Sequence, residues 1–98
     1  MELRYATQKL ERICIDSREM GRRLASPVVR SLRLRIAELR AARDCADLAY
    51  GTGRWEQLTG DRRGQWSARL SANWRLIVEE DAPETATVLV VEIVDYHR

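Results

Sequence analysis

Residues 66–78 read WSARLSANWRLIV, with an apolar side chain at every second position on either side of Ser71–Asn73. Successive side chains of a β-strand point to opposite faces, so this period of two predicts two strands joined by a tight turn. The large apolar residues predict the face that meets the core: Trp66, Leu70, Trp74 and Leu76. Arg69 and Arg75 then fall on the opposite face.

Residues 88–96 predict a further strand, in which Glu92 is the one charged residue before Asp95. So apolar a run is typical of a central strand that is covered on part of both faces. Alternation places Glu92 and Tyr96 on the same open face as the two arginines. It places three residues of this strand under the helices: Leu89, Val91 and Ile93.

Helical patterns precede these strands. Thr7 is a suitable N-cap for a first helix, which a break near Asp16–Ser17 interrupts. Ser26 as N-cap and Pro27 at the first helical position predict a second helix that runs to about Cys45. The fold class is therefore α+β, a single domain over 1–98 in which an N-terminal helix pair packs on one face of a small antiparallel sheet. A short strand near Leu3 and Tyr5 and a solvated hairpin loop at 79–84 complete the pattern.

Composition excludes several classes of protein. Hydrophobic residues make up 45% and charged residues 33% of the 98 residues, and no apolar run approaches the roughly 18 residues of a membrane span. The chain start lacks the basic-then-apolar order of a signal peptide. Two cysteines and a single histidine lack the spacing of a metal site, so we expect reduced thiols, a cytoplasmic protein and no metal or cofactor. Cys14 and Cys45 are predicted to be small core side chains.

Positive charge is concentrated before residue 79. Sixteen basic and nine acidic side chains precede Glu79, whereas one basic and six acidic side chains lie in 79–98. A basic body with an acidic end suits a protein that meets a polyanion and a basic partner with different surfaces. Two arginines and a tyrosine on one open sheet face predict a site for a phosphate and a base. The alternative is an ordinary solvated face with cross-strand pairs, such as Glu92 with an arginine.

Three segments in the second half of the chain carry a family resemblance: LTGDRRGQWSAR at 58–69, NWRL at 73–76 and EIVDYH at 92–97. Together they resemble HigB-type toxins of the RelE/ParE superfamily of bacterial toxin–antitoxin systems. Those toxins have a Leu-Lys-Gly-Asp-Arg-Lys-Gly turn, a Trp-Arg or Tyr-Arg step and a terminal Val-Asp-Tyr-His in the same order. With the helices that precede it, the resemblance covers nearly the whole chain and implies a RelE/ParE-like two-layer sandwich.

The resemblance implies a metal-independent endoribonuclease that cuts messenger RNA on the ribosome and so inhibits translation. Asp95, Tyr96 and His97 match the terminal catalytic segment of the family, and Arg75 matches the arginine after the aromatic residue. Arginine stays protonated and binds phosphate with two nitrogens, whereas histidine titrates near neutrality and suits proton transfer. Arg63 matches the basic residue of the glycine-flanked turn.

Two positions depart from the family pattern. Glu56 stands where many members have a histidine, and Thr59 stands where they have a lysine. Glu56 can still act as a base, so it joins the candidate catalytic residues, while Thr59 supplies no cation. The missing charge can be replaced by one of three arginines, and the sequence leaves open which one: Arg54, Arg62 or Arg63. With Arg69, these arginines are the candidate RNA-binding residues.

The implied partners are a HigA-like helix-turn-helix antitoxin, the ribosome and messenger RNA. DNA contact is expected only indirectly, through the antitoxin complex, and no membrane contact is expected. The acidic 79–84 segment and the arginines of the second helix are the candidate antitoxin contacts. Two alternatives stay open: a non-catalytic toxin that binds a gyrase-type protein target, and a degenerate member that retains only antitoxin binding.

Overall fold

The computed structural model describes residues 1–51 and 53–96, so His97 lies outside the described residues. It contains three helices: α1 (Gln8–Ile15), α2 (Ser17–Arg23) and α3 (Ser26–Ala41). Its strands are β1 (Glu2–Tyr5), β2 (Glu56–Gln57), β3 (Gln65–Arg69), β4 (Trp74–Ala82) and β5 (Thr87–Asp95). Short 3-10 turns occupy Ala46–Tyr50, Gly60–Arg62 and Pro83–Thr85. No helix in this part of the chain is long and apolar enough to cross a bilayer.

The strands form one sheet in the order β1-β5-β4-β3-β2, and the three helices pack against it. This confirms the predicted α+β class. Strands β2 to β5 are antiparallel neighbours, as predicted, whereas β1 runs parallel to β5 and makes the sheet mixed. Strands joined by a hairpin must be antiparallel, but the three helices lie between β1 and the rest of the sheet, so β1 is free of that constraint.

The predicted break in the first helix separates two short helices. Asp16 has an extended backbone and ends α1, and its side chain then accepts the N–H of Arg18 at 2.9 Å to begin α2. Thr7 is the N-cap of α1, as predicted, because its hydroxyl oxygen accepts the N–H of Leu10 at 3.0 Å. Each cap satisfies a donor that would otherwise lack a partner in the first turn.

Both predicted ends of the next helix are wrong. Ala25 rather than Ser26 is the N-cap of α3, and no side chain bonds the first turn. The helix ends at Ala41 rather than near Cys45, because the backbone of Ala42 is extended with ψ at 148°. The chain then enters the 3-10 turn that leads to β2.

A β-bulge interrupts the pairing of β4 with β5. Ile77 pairs with Glu92, while the next residue of β4, Val78, pairs with Val90. Val91 is therefore the extra residue of β5, between Val90 and Glu92, which pair with two consecutive residues of β4. One extra residue in one strand shifts the alternation of side chains by one position.

The bulge explains an incorrect prediction about the core face of β5. Val88 and Val90 are fully buried in the core, so the prediction is wrong at Leu89. Val91 lines a cavity with Leu10 and Leu24 of the helical layer, on the predicted side. Beyond the bulge the phase changes, and Ile93 packs against the core as predicted. A strict period of two over residues 88–96 cannot reproduce both halves of this strand.

Strand β4 is longer than predicted, so residues 79–82 belong to the strand rather than to a solvated loop. The acidic side chains of this segment make contacts within the molecule. Glu79 accepts from Gln65 at 3.2 Å, Glu80 accepts the N–H of Cys45 at 3.2 Å, and Asp81 pairs with Arg4 at 2.6 Å.

Both cysteines are free thiols in the core, as predicted. Cys14 faces inward from α1, and Cys45 follows α3. Burial raises the pKa of each thiol to about 12, and at Cys45 the Glu80 carboxylate adds to that rise. A thiol with so high a pKa is protonated at neutral pH and is a poor nucleophile.

We expect alkaline pH to destabilise the fold through these thiols. In the unfolded chain they ionise near pH 9, while in the folded protein they stay protonated to about pH 12. Their contribution is therefore fully present below pH 9 and is lost as the pH rises toward 12, by about 1.4 kcal/mol per pH unit and thiol. Denaturant titrations at pH 8, 9 and 10 measure the slope, and a Cys14→Ala/Cys45→Ala variant with the wild-type slope would contradict this assignment.

Candidate functional site

The sheet face opposite the helices carries the predicted polar residues. Leu76 and Val78 point into the core, so Arg75 and Ile77, which alternate with them, point the other way. Arg75 on β4 pairs directly with Arg69 on β3 and with Val94 on β5. The two arginines therefore share the open face, as predicted.

Arg75 is anchored at the end of β4. Its Nη1 donates to the carbonyl oxygens of Ser71 at 2.9 Å, Trp74 at 3.0 Å and Ala72 at 3.2 Å. The guanidinium carbon also lies 5.7 Å from the centre of the Tyr96 ring. These contacts fix the cation above the β3–β4 turn and beside the end of β5. A fixed guanidinium is preorganised to bind an anion.

Asp95 ends the last strand, and Tyr96 follows it next to this arginine. Asp95 pairs with Trp74, and the N–H of Tyr96 donates to the carbonyl oxygen of Asn73 at 2.8 Å. This bond holds the backbone of Tyr96 to the turn, while its side chain is 41% exposed. The structure thus brings Tyr96 and Arg75 together. Asp95 is the partner of Trp74, which packs against the core, so Asp95 lies on the face of the strand opposite Arg75. The predicted role of His97 falls outside the described residues.

Glu56 lies on the same face as the arginines. It pairs with Ser67 across β2 and β3, and Ser67 is two residues from Arg69 on β3. Through Ser67, Glu56 is in register with Ile77, two residues from Arg75. Strands lie about 4.8 Å apart and rise about 3.4 Å per residue, so the backbones of Glu56 and Arg75 are roughly 12 Å apart. A long arginine and a glutamate can converge on a group placed between them. The Glu56 side chain is exposed.

Arg62 crosses the open face in a polar cluster that we call the Arg62 bridge: Arg62, Gln65 and Glu92. Its Nη1 donates to Gln65 Oε1 at 2.8 Å, and its Nη2 pairs with Glu92 Oε1 at 2.5 Å. Glu92 thus has an arginine partner, as the alternative prediction expected, but Arg62 lies in the turn before β3 and not on a neighbouring strand. Gln65 was not predicted; its position at the start of a strand, three residues after Arg62, is the signal that could have indicated it.

The other two arginines of this region are placed differently. Arg54 is exposed and has a left-handed backbone, with φ at 54°, in the connection to β2. Arg63 is exposed in the turn before Gly64, whose φ of 93° suits glycine. Trp55, beside Arg54, is buried and donates from Nε1 to Glu38 Oε1 at 2.8 Å, so its ring is part of the core.

Metal ligands do not cluster in the described part of the chain. Within residues 1–51 and 53–96, no three side chains of His, Cys, Asp or Glu are placed to hold a metal ion together. The polar groups of the open face are arginines, single carboxylates and a phenol. Such groups can hold a phosphate and exchange protons with it.

This two-layer arrangement is the fold of the YoeB/ParE-type toxins of toxin–antitoxin systems. The structure superimposes on the YoeB/ParE toxin from Agrobacterium tumefaciens with a TM-score of 0.71 and 20% sequence identity, over 99% of this chain and 100% of that one. Staphylococcus aureus YoeB, in a YoeB–YefM complex, gives a TM-score of 0.66 at 16% identity, over 100% of this chain and 98% of that one. No protein-family model and no curated protein matches the sequence.

Proposed function

We propose that this protein is the toxin of a type II toxin–antitoxin system and acts as a ribosome-dependent messenger RNA endoribonuclease in the cytoplasm. The observation that carries the proposal is the placement of Arg75, Tyr96 and Glu56 on one open sheet face, with Arg75 anchored beside the Tyr96 ring. The fold similarity to YoeB/ParE toxins supports the class of protein. Motif resemblance over residues 55–97 supports the HigB subtype, although the similar solved structures are of the YoeB type.

The proposed reaction uses the RNA's own 2′-hydroxyl as the nucleophile. Glu56 accepts the proton of that hydroxyl while its oxygen bonds to the neighbouring phosphorus. Arg75 stabilises the negative charge that builds on the phosphate oxygens. The bond from phosphorus to the 5′-oxygen breaks, and that oxygen takes a proton from the Asp95–Tyr96–His97 end of the chain. The products are a 2′,3′-cyclic phosphate and a 5′-hydroxyl.

The proposed antitoxin is a HigA-like helix-turn-helix protein, and through it the complex would reach DNA. A YoeB of the same fold is known in complex with YefM. Antitoxin contact at the acidic 79–84 segment and at the arginines of α3 stays a prediction. The intramolecular contacts of Glu79, Glu80 and Asp81 make the α3 arginines the stronger of the two candidates.

The direct test is induced expression followed by mapping of messenger RNA ends in translating cells. We expect new 5′-hydroxyl ends within coding regions that appear only while ribosomes translate. New ends in untranslated RNA would contradict ribosome dependence. Growth arrest without any new ends would support the second candidate function, a toxin or antitoxin-binding protein that does not cleave RNA. The observation that favours this candidate is Thr59, which stands where many family members have a lysine.

RNA binding to the open face should depend steeply on salt. Each phosphate contact on a single strand adds about 0.7 to the slope of log affinity against log salt. Arg69→Glu is the suitable change, because Arg69 is exposed, whereas Arg75 also braces a turn. We expect a shallower slope and weaker ribosome binding for Arg69→Glu. The matched control is Arg18→Glu on α2, and equal losses for the two variants would contradict the assignment of this face.

A further inference from the structure

The resemblance leaves open which arginine replaces the lysine that Thr59 lacks, and the structure distinguishes the three candidates. Arg54 and Arg63 are exposed on connecting segments. Arg62 instead reaches across the sheet, because its two terminal nitrogens bond to Gln65 on β3 and Glu92 on β5. Strand β4 lies between β3 and β5, so the guanidinium is held above β4.

An apolar residue of β4 lies next to the anchor of Arg62 on β5. Ile77 of β4 pairs with Glu92, points away from the helices and is nevertheless 0% exposed. Arginine can cover apolar surface with its methylene groups while its charged end stays in water. The position of Arg62 between Gln65 and Glu92 suits this kind of cover over Ile77, and its side chain, 39% exposed, keeps access to solvent.

Arg62 retains hydrogen-bonding capacity in this position. A guanidinium has five N–H donors, and the two bonds of the Arg62 bridge use one donor from each terminal nitrogen. The bridge also lies next to the catalytic candidates. Ile77 is two residues from Arg75 on β4, a separation of about 7 Å along a strand. Two anchored arginines on one sheet face suit contacts to more than one phosphate of one RNA strand.

We propose that Arg62 binds the phosphate next to the scissile one, and that Glu92 and Gln65 are positioning residues that hold its guanidinium above β4. This inference rests on the proposed function, since it names the RNA contact of the same face. It assigns to Arg62 the charge that Thr59 cannot supply. The Glu92 carboxylate both positions the Arg62 guanidinium and opposes its positive charge. Two different substitutions of Glu92 separate these two effects.

The test uses a fluorescently labelled single-stranded oligoribonucleotide and measures affinity as a function of salt for the full-length protein. Arg62→Gln should weaken binding and lower the log–log salt slope by about 0.7, the contribution of one phosphate contact. Arg18→Gln removes the same charge from α2 and should leave the slope unchanged. Arg62→Lys keeps the charge and should keep the slope, which separates loss of charge from loss of folding.

Two variants of Glu92 test its positioning role. Glu92→Gln and Glu92→Ala remove the same negative charge, but only glutamine keeps an oxygen that accepts from Arg62. We expect Glu92→Gln to bind RNA at least as tightly as wild type and Glu92→Ala to bind several-fold more weakly than Glu92→Gln. Equal affinities of the two Glu92 variants would refute the positioning role.

The outcomes also separate this inference from the proposed function. If wild type binds RNA and Arg62→Gln keeps its affinity and slope, the inference is wrong and the proposed function stands. If binding depends on Arg62 but wild type does not cleave RNA on ribosomes, Arg62 is a phosphate contact of this face and the proposed cleavage is wrong. If wild type binds no RNA, the inference is wrong, and the mapping of RNA ends in translating cells decides the proposed function separately.

Discussion

Replacing Glu56 with glutamine should lower the rate of messenger RNA cleavage by about 10²–10⁴-fold, the usual contribution of a general base. Glutamine keeps the size of the side chain but cannot accept the proton of the 2′-hydroxyl. Glu56 is exposed on the edge strand β2, so the change should leave the melting temperature unaltered. Tyr96→Phe should lower the rate in the same way if its hydroxyl takes part in protonating the leaving oxygen. Quantified RNA ends in translating cells measure both rates.

Binding must be measured beside cleavage to interpret these variants. Each change removes a proton-transfer group and leaves the arginines in place, so ribosome and antitoxin binding should stay within about twofold of wild type. The matched control is Gln57→Glu, which adds a carboxylate to the neighbouring residue of β2 and should not restore cleavage to Glu56→Gln. Wild-type toxicity of a Glu56→Gln/Tyr96→Phe variant would rule out catalysis by this face and favour the protein-binding alternative.

Arg75→Ala should reduce cleavage and RNA affinity together. The guanidinium would hold phosphate in the ground state as well as in the transition state, so both KM and kcat change. Loss of a single charge-stabilising donor typically costs about 10²–10³-fold in rate. Arg75 also bonds three carbonyl oxygens of the β3–β4 turn, so we expect a stability loss of about 1–3 kcal/mol in the same variant.

Ser71→Ala separates the structural effect from the chemical one. The Ser71 hydroxyl accepts the N–H of Trp74 at 3.2 Å in the same turn, so its removal loosens the turn but leaves the Arg75 cation in place. We expect Ser71→Ala to lower the melting temperature with little change in cleavage. If Ser71→Ala loses as much cleavage as Arg75→Ala, the arginine acts by holding the turn and not by binding phosphate.

Local patterns predicted most elements because each depends on neighbouring residues. The alternation on either side of Ser71–Asn73 predicted β3, the turn and the start of β4. Thr7 was predicted as a cap because its hydroxyl needs only an N–H three residues away. Ser26 shows the limit of such reasoning, because it is a good capping residue and yet lies inside α3, whose N-cap is Ala25.

The sequence by itself determined the two-layer class, the face that carries Arg69 and Arg75 and the burial of both cysteines, because alternation and hydrophobicity act over a few residues. Only the tertiary structure decided the parallel pairing of β1 with β5 and the bulge at Val91. It also decided that Arg62, among three nearby arginines, reaches Glu92, which is 30 residues away in the chain. Contacts between distant segments depend on how the layers pack, and no local pattern records that packing.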